Sequence, residues 1–549
     1  MTLATCGITT HPVHRSIIFS VAAGLTLSAL LVFASGCEGD IGDGEGGQGG
    51  EGPASGGNGA GVGGGPPIMG PTTIDCTHVG SGIDYAVGPG QAYASLGEVP
   101  TETLKGGDTI RIFYRAEPYR EKIMIGGKGT PADPIRVCGV AGPNGELPVI
   151  DGADATTRPE SDFPFEGHQV RGVVVIGHRH DDLYEEEPGP FVFEGLAVTG
   201  GAPDNQFTDT FGATQSYAEA AAGIFVQRGR GITIRGCDIF GNANGMFIGT
   251  SSAPDATYDV LIEANYVHDN GVPGSDKQHN IYNEAIGVVH QFNHYGSPRT
   301  DSGAGNVKER SAGVVMRYNF IEGGAHMIDL VDAQEAKLTT VPLESFHESF
   351  VYGNILKLDG LSGSMVHYGG DSGLFEDYRK GTLYFFHNTV VVDTSQQGDY
   401  DTQAILELST NEETLWSRNN VLFATVEPTS LRPVVILGQR DSATHGVADM
   451  SGDWVSSGVT PYMMIPDVPQ TFDGEIAGLV PQLPGALPDF VDMAGEDFRP
   501  SSASALIGAG VSLMSSLPDT YWPHYSYALH QQATARDDNA APTVGALVP

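Results

Sequence analysis

The sequence predicts an all-β chain wound into a single-stranded parallel β-helix. Three observations carry this: a phrase built around asparagine recurs along the chain, short β-branched and aromatic runs alternate with Gly, Asn and Asp turns, and helix-period stretches are nearly absent past residue 100.

The phrase is an apolar residue, two residues, Asn, one residue and a second apolar residue. It reads Ile262/Asn265/Val267, Met316/Asn319/Ile321, Val351/Asn354/Leu356 and Phe385/Asn388/Val390, with weaker copies at Ile234/Cys237/Ile239, His290/Asn293/Tyr295 and Ser417/Asn420/Leu422. The marked positions lie 28, 28, 26, 35, 34 and 32 residues apart. A period of about 20 to 50 residues signals a solenoid, and coils as short as these do not suit propeller blades of about 40 residues or more. Asn enters the left-handed backbone region more readily than other non-glycine residues, so each marked Asn is expected at a left-handed corner. Stacking should then align the amides into a ladder, with three short strands per coil.

Composition narrows the function. The 549 residues carry 28 Lys+Arg against 67 Asp+Glu, a formal charge of −39, with 40% hydrophobic residues to fill a core. Such a field repels a phosphate backbone, so no nucleic-acid partner is expected.

The N-terminus reads as an address. Arg15 precedes an uncharged apolar run from Ile17 to Phe33, followed by Ala34-Ser35-Gly36-Cys37. Residues 1–37 are therefore expected as a secretory signal whose lipobox-like Cys37 is lipidated, making the chain an exported, membrane-tethered envelope protein. Residues 38–73 hold 16 Gly and few large apolar side chains, too few to offset ordering entropy, and are expected as a disordered linker. The β-helix domain is assigned to 74–549, with an irregular C-terminal segment. Cys76, Cys138 and Cys237 allow one disulfide at most, and the sequence does not say which pair forms it.

The segments Gly107-Asp108-Thr109-Ile110-Arg111-Ile112, Tyr119-Arg120-Glu121-Lys122-Ile123 and Gly127-Lys128-Gly129-Thr130-Pro131-Ala132-Asp133-Pro134-Ile135 resemble the opening coil of bacterial pectate-lyase-like β-helix proteins. Asp497-Phe498-Arg499-Pro500, with Ser504, Ile507 and Gly510, is similar to their closing segment. The resemblance implies right-handed winding and a ligand groove along one sheet.

Candidate chemistry follows from strand alternation. With Ile281, Val307, Ile328 and Val366 pointing inward, Tyr282, Lys308, Arg310, Asp329 and His367 face out and form a column over neighbouring coils. Only eight lysines occur in the chain, so Lys308 two residues from Arg310 is a conspicuous pair. These groups suit a uronate polymer. β-Elimination needs the carboxylate neutralised, the C5 proton removed and the leaving oxygen protonated. Arg310 is expected to hold the carboxylate, Lys308 to act as base with its pKa lowered by the guanidinium, and Tyr282 or His279 to supply the proton. His367, Asp329 and Phe247 are expected to bind substrate.

The basic pair resembles that of chondroitinase B-type and alginate lyases, where calcium bridges substrate carboxylates. Ca²⁺ is the candidate cofactor here, without an assigned ligand set. The run Asp329, Asp332, Glu335 offers hard oxygens for it, or carboxylates for glycoside hydrolysis, though it reads first as a solvated loop. Glu309, if inward, belongs to a structural network. The expected partners are a polysaccharide and, through Cys37, a membrane, with the protein a monomer. The alternative function is a non-catalytic glycan-binding or surface-display module that stacks sugars on Phe247, Tyr282, Tyr368 and Tyr384.

Overall fold

The computed structural model describes residues 74–163, 166–180, 187–250, 256–360, 362–395, 403–410, 412–425, 433–438, 447–462, 475–477 and 487–549. The signal assigned to 1–37, Cys37 and the Gly-rich stretch 38–73 lie outside them.

A complete coil gives one strand to each of three sheets, and because not every coil completes all three sides the sheets hold 13, 10 and 14 strands among the described residues. One coil runs Ala312–Arg317 in the first sheet, Phe320–Glu322 in the second and Ile328–Leu330 in the third. The next runs Glu348–Tyr352, Ile355–Asp359 and Gly363–Tyr368, pairing with its predecessor in parallel register on all three sides. The chain is thus a single-stranded parallel β-helix, wound in the right-handed sense that crossovers between parallel strands of one sheet take. Its interior is a continuous column of mostly Val, Ile, Leu, Phe and Met, buried almost completely.

The recurring asparagines form the expected ladder. The Oδ1 atoms of Asn265, Asn293, Asn319, Asn354 and Asn388 each accept the backbone N–H of the preceding rung, beginning at Cys237. Asn420 and then Asp453 continue it. Each Nδ2 donates onward to the next rung, as Asn319 does to Asn354 at 2.9 Å. These side chains are fully buried, so the ladder satisfies amides that would otherwise be stranded away from water.

The left-handed residue, however, is not the Asn. It is the residue before each rung: Gly236, Ala264, Phe292, Tyr318, Gly353, His387, Asn419 and Gly452 have φ between +51° and +74°. The rung side chain is committed to bonding along the stacking axis, so the turn falls on its predecessor. A second, shorter ladder precedes the third sheet. Asn242, Asn270, Asn280 and Asn306 are joined Nδ2 to Oδ1 at 2.9–3.1 Å, fixing the entry to strands Ile281–Asn283 and Val307–Glu309.

Cys76 pairs with Cys138, leaving Cys237 buried and free, its thiol pushed up to about 12 chiefly by burial. The C-terminal segment packs along the ladder corner. Tyr521 stacks on Phe350, Tyr525 packs edge-on to Phe292, and Tyr527 lies beside Phe320. His524 N–H donates to Tyr318 Oη, Val511 N–H to Asn419 Oδ1, and Ala546 N–H to Thr389 Oγ1.

Asp453 ends the ladder with a carboxylate where an amide would serve. Burial, the dominant cause, raises its pKa from 3.8 to about 6, although Asn420 and Ser417 donate to it. The folded chain therefore holds this proton more tightly than the unfolded one, and the wild type loses stability as pH rises from about 4 to 6. Asp453→Asn removes that loss. Thermal unfolding should show the variant's advantage widening between about pH 4 and 6 and constant on either side.

Candidate active site

The third sheet places one residue per coil into an outward column. Pairing runs Phe225–Phe247, Phe247–Tyr282, Tyr282–Lys308, Lys308–Asp329, Asp329–His367 and His367–Glu407. The structure thus brings together Phe247, Tyr282, Lys308, Asp329 and His367, with Arg310 two residues beyond Lys308. The column begins in aromatic rings, with Phe247 and Tyr282 stacked at 4.6 Å, and ends in charge.

Residues between the column positions face inward. Glu309 is fully buried and accepts from His290 Nε2 at 2.8 Å, Asn283 Nδ2 at 3.2 Å and Ser311, a structural network inside the coil. Tyr368 is likewise in the core, and Tyr384 lies on the first sheet against Phe350, so neither can be a stacking platform in this groove. Parity at Tyr368 and sheet membership at Tyr384 decide this against the sequence expectation.

Lys308 is the centre of the charged end. Its Nζ lies 2.6 Å from both Asp329 Oδ2 and Asp371 Oδ2. Arg310 Nη2 lies 3.1 Å from Asp371 Oδ1, and Nη1 donates to the Asp332 carbonyl. Burial disfavours the Lys308 charge, but Asp329 and Asp371 together outweigh burial and the opposing Arg310, so the pKa lies above the ordinary lysine value. The guanidinium does lower it, as expected, but the two carboxylates outweigh that effect, and Lys308 is an ammonium rather than a base. The reason is Asp329 first and then Asp371, which lies 63 residues downstream and bridges both cations.

His279 also departs from expectation. Burial, aided by Lys308, pushes its pKa down to about 3, so at neutral pH it is a neutral imidazole and not a general acid. Tyr282 keeps its phenolic proton, because burial raises its pKa despite Arg310, and its Oη lies 3.5 Å from Glu335 Oε2.

The coils that follow supply groups that sequence reasoning passed over as functional: His326, Asp371, Glu407 and Ser409. His367 bonds Asp329 Oδ1 through Nδ1 and Ser409 Oγ through Nε2, both at 2.8 Å. Burial opposes its charge, yet Glu407 and Asp329 prevail and raise its pKa to about 9. As an imidazolium it donates from both nitrogens, and Ser409 Oγ also accepts from Gly370 N–H. The serine is therefore a support for His367 and not a nucleophile activated by it.

His326 behaves oppositely. Its Nδ1 lies 2.9 Å from the Ser364 carbonyl, and burial first, then the charge on His367, lower its pKa. The two rings are 5.4 Å apart. A neutral and a charged imidazole side by side are a base and an acid already sorted by their surroundings.

His326, Asp329 and His367 also bring one ligand atom each within 4.8 Å, the spacing of a metal site. The Lys308 ammonium already neutralises Asp329 there, and a dication would have to displace it. The run proposed for Ca²⁺ is divided: Asp329 bonds Lys308, Asp332 is buried and accepts the Asp371 and Ser372 amides, and Glu335 lies beside Tyr282.

Fold and site together describe a parallel β-helix with an aromatic and charged column of side chains on one sheet. No family model matches the chain, and no curated protein matches it. Among the solved structures that it is similar to are the following three. A pectate lyase, Pel9A, is 12% identical with a TM-score of 0.38 over 85% of this chain and 96% of that one. The ORF18 product of Geobacillus virus E2 is 11% identical at 0.28, over 67% and 53%. A family 28 exopolygalacturonase of Yersinia enterocolitica is 11% identical at 0.23, over 68% and 73%.

The opposed histidines give a direct expectation. In ¹⁵N spectra at neutral pH, His367 should be doubly protonated and titrate near 9, while His326 remains neutral. A His367 that loses its proton at or below the ordinary histidine value would remove the acid from the pair.

Proposed function

We propose that this β-helix is a polysaccharide lyase that cleaves a uronate-containing polymer by β-elimination in the third-sheet groove. The observation that carries the reading is the juxtaposition of a buried cation pair, Lys308 and Arg310, with two histidines held in opposite protonation states. Sugar rings lie along Phe247 and Tyr282, whose faces suit their C–H surfaces. Lys308 and Arg310 face the uronate carboxylate, and their charge acidifies the C5 proton by stabilising the developing enolate. His326, neutral, removes that proton through the nitrogen opposite Nδ1. His367, charged, protonates the leaving glycosidic oxygen, with Asp329, Glu407 and Ser409 holding its ring. Lys308 thus moves from base to electrostatic stabiliser, and the proton donor from His279 to His367, with Tyr282 a second available acid.

The protein's overall acidity opposes an anionic polymer, and the local cation pair is what offsets it. The N-terminal pattern complements this reading: signal-directed export and lipidation at Cys37 would hold the enzyme at the cell envelope, where such polymers are met.

The reaction leaves an unsaturated uronate with new ultraviolet absorbance. Its rate should hold while His326 is neutral and His367 charged, then fall as pH rises through about 9. His326→Ala and His367→Ala should each lower kcat by about 10² to 10⁴, and Lys308→Met should abolish turnover. Binding of a uronate polymer with no such product at any pH would instead establish the glycan-binding module. For the anchor, fatty-acid incorporation and membrane fractionation should both be lost in Cys37→Ala.

A further inference from the structure

The Lys308–Arg310 clamp is already filled by a carboxylate of the chain itself. Asp371 meets Lys308 Nζ through Oδ2 at 2.6 Å and Arg310 Nη2 through Oδ1 at 3.1 Å, one oxygen to each cation. This is the geometry that a uronate carboxylate would take between the same two groups.

Asp371 differs from the other acids around the clamp. Asp329 and Asp332 are buried, with side-chain exposures of 6% and 1%, whereas Asp371 is 35% exposed at the rim of the site. It comes from the loop Gly369-Gly370-Asp371-Ser372-Gly373 that follows strand Gly363–Tyr368, not from the strand. The loop backbone is pinned, since Asp371 and Ser372 N–H groups donate to Asp332 Oδ1 and Gly370 N–H donates to Ser409. Turning the carboxylate out therefore needs only side-chain rotation. Arg310 Nε is moreover buried without a hydrogen-bond partner, a donor that the internal carboxylate does not use.

We infer that Asp371 is an internal occupant of the carboxylate subsite, displaced when a free carboxylate of the substrate enters, and that this exchange makes the site selective for the acid over its ester or a neutral sugar. The exchange conserves charge: one carboxylate leaves for water as another arrives, and the two cations stay compensated beside Asp329 and Asp332. A neutral group offers no such replacement and would leave the buried cations short of a counter-ion. The inference rests on the uronate reading, from which it takes the ligand class.

The test is calorimetric titration of the full chain with sodium acetate and with D-galacturonate, comparing wild type with Asp371→Asn. The variant should bind both at least about tenfold more tightly, because the competent state no longer competes with a tethered carboxylate. Methyl galacturonate ester should gain nothing. Equal or weaker carboxylate binding by the variant overturns the inference. A second readout needs no variant: in wild-type protein labelled with ¹³C-aspartate, the Asp371 carboxyl should move to its solvent-exposed shift on adding galacturonate, and an unmoved signal at saturation overturns it equally. Neither measurement depends on turnover. Tighter acetate binding without polymer cleavage would retain the gate and discard the lyase, whereas cleavage with unchanged binding would do the reverse.

Discussion

The buried amide ladder is the constraint on which the rest of the structure depends. Coils from 26 to 35 residues long cannot stack by length, because their excess varies from one to the next. What they share is one polar side chain at one corner that must find its bonds in the adjacent coils or lose them altogether. Leaving such a group unsatisfied costs about 1 to 3 kcal/mol, so the ladder pins each coil at that corner whatever the loops do elsewhere. Register at the corner propagates along the short strands, and Lys308, Asp329 and His367 meet as neighbours although 21 and 38 residues separate them in sequence.

This explains which parts of the molecule were legible beforehand. The Asn spacing carried the solenoid, and strand parity carried the outward column through Phe247, Tyr282, Lys308, Asp329 and His367, because both are local patterns of period two or one coil. The location of the left-handed residue was not legible, since Ala264, Phe292 and Tyr318 bear no mark of positive φ in their chemistry. Nor was the disulfide partner of Cys138, which depends on where the first coil begins.

The site was legible in its positions and not in its charges. Which residues face outward follows from alternation along one strand, but the protonation of Lys308 depends on Asp329 and Asp371, and that of His367 on Glu407 and Asp329, each from a different coil. These partners arrive through loops whose lengths obey no repeat. Lys308 therefore reads as a base beside a guanidinium until Asp329 and Asp371 are both set against its Nζ. His326 is illegible for the same reason: its lowered pKa comes from burial and from the charge on His367 in the next coil.

The C-terminal segment gives the solenoid a mechanical property that its repeats lack. A stack in which each rung touches only its neighbours can fray from either end, one turn at a time. Here a single run of chain after residue 500 grips the ladder corner at Phe292, Tyr318, Phe350, Thr389 and Asn419, like stitching through the spine of a book. Pulling or proteolytic attack on any one of those turns must first part the seam, so the groove-bearing turns should open together or not at all.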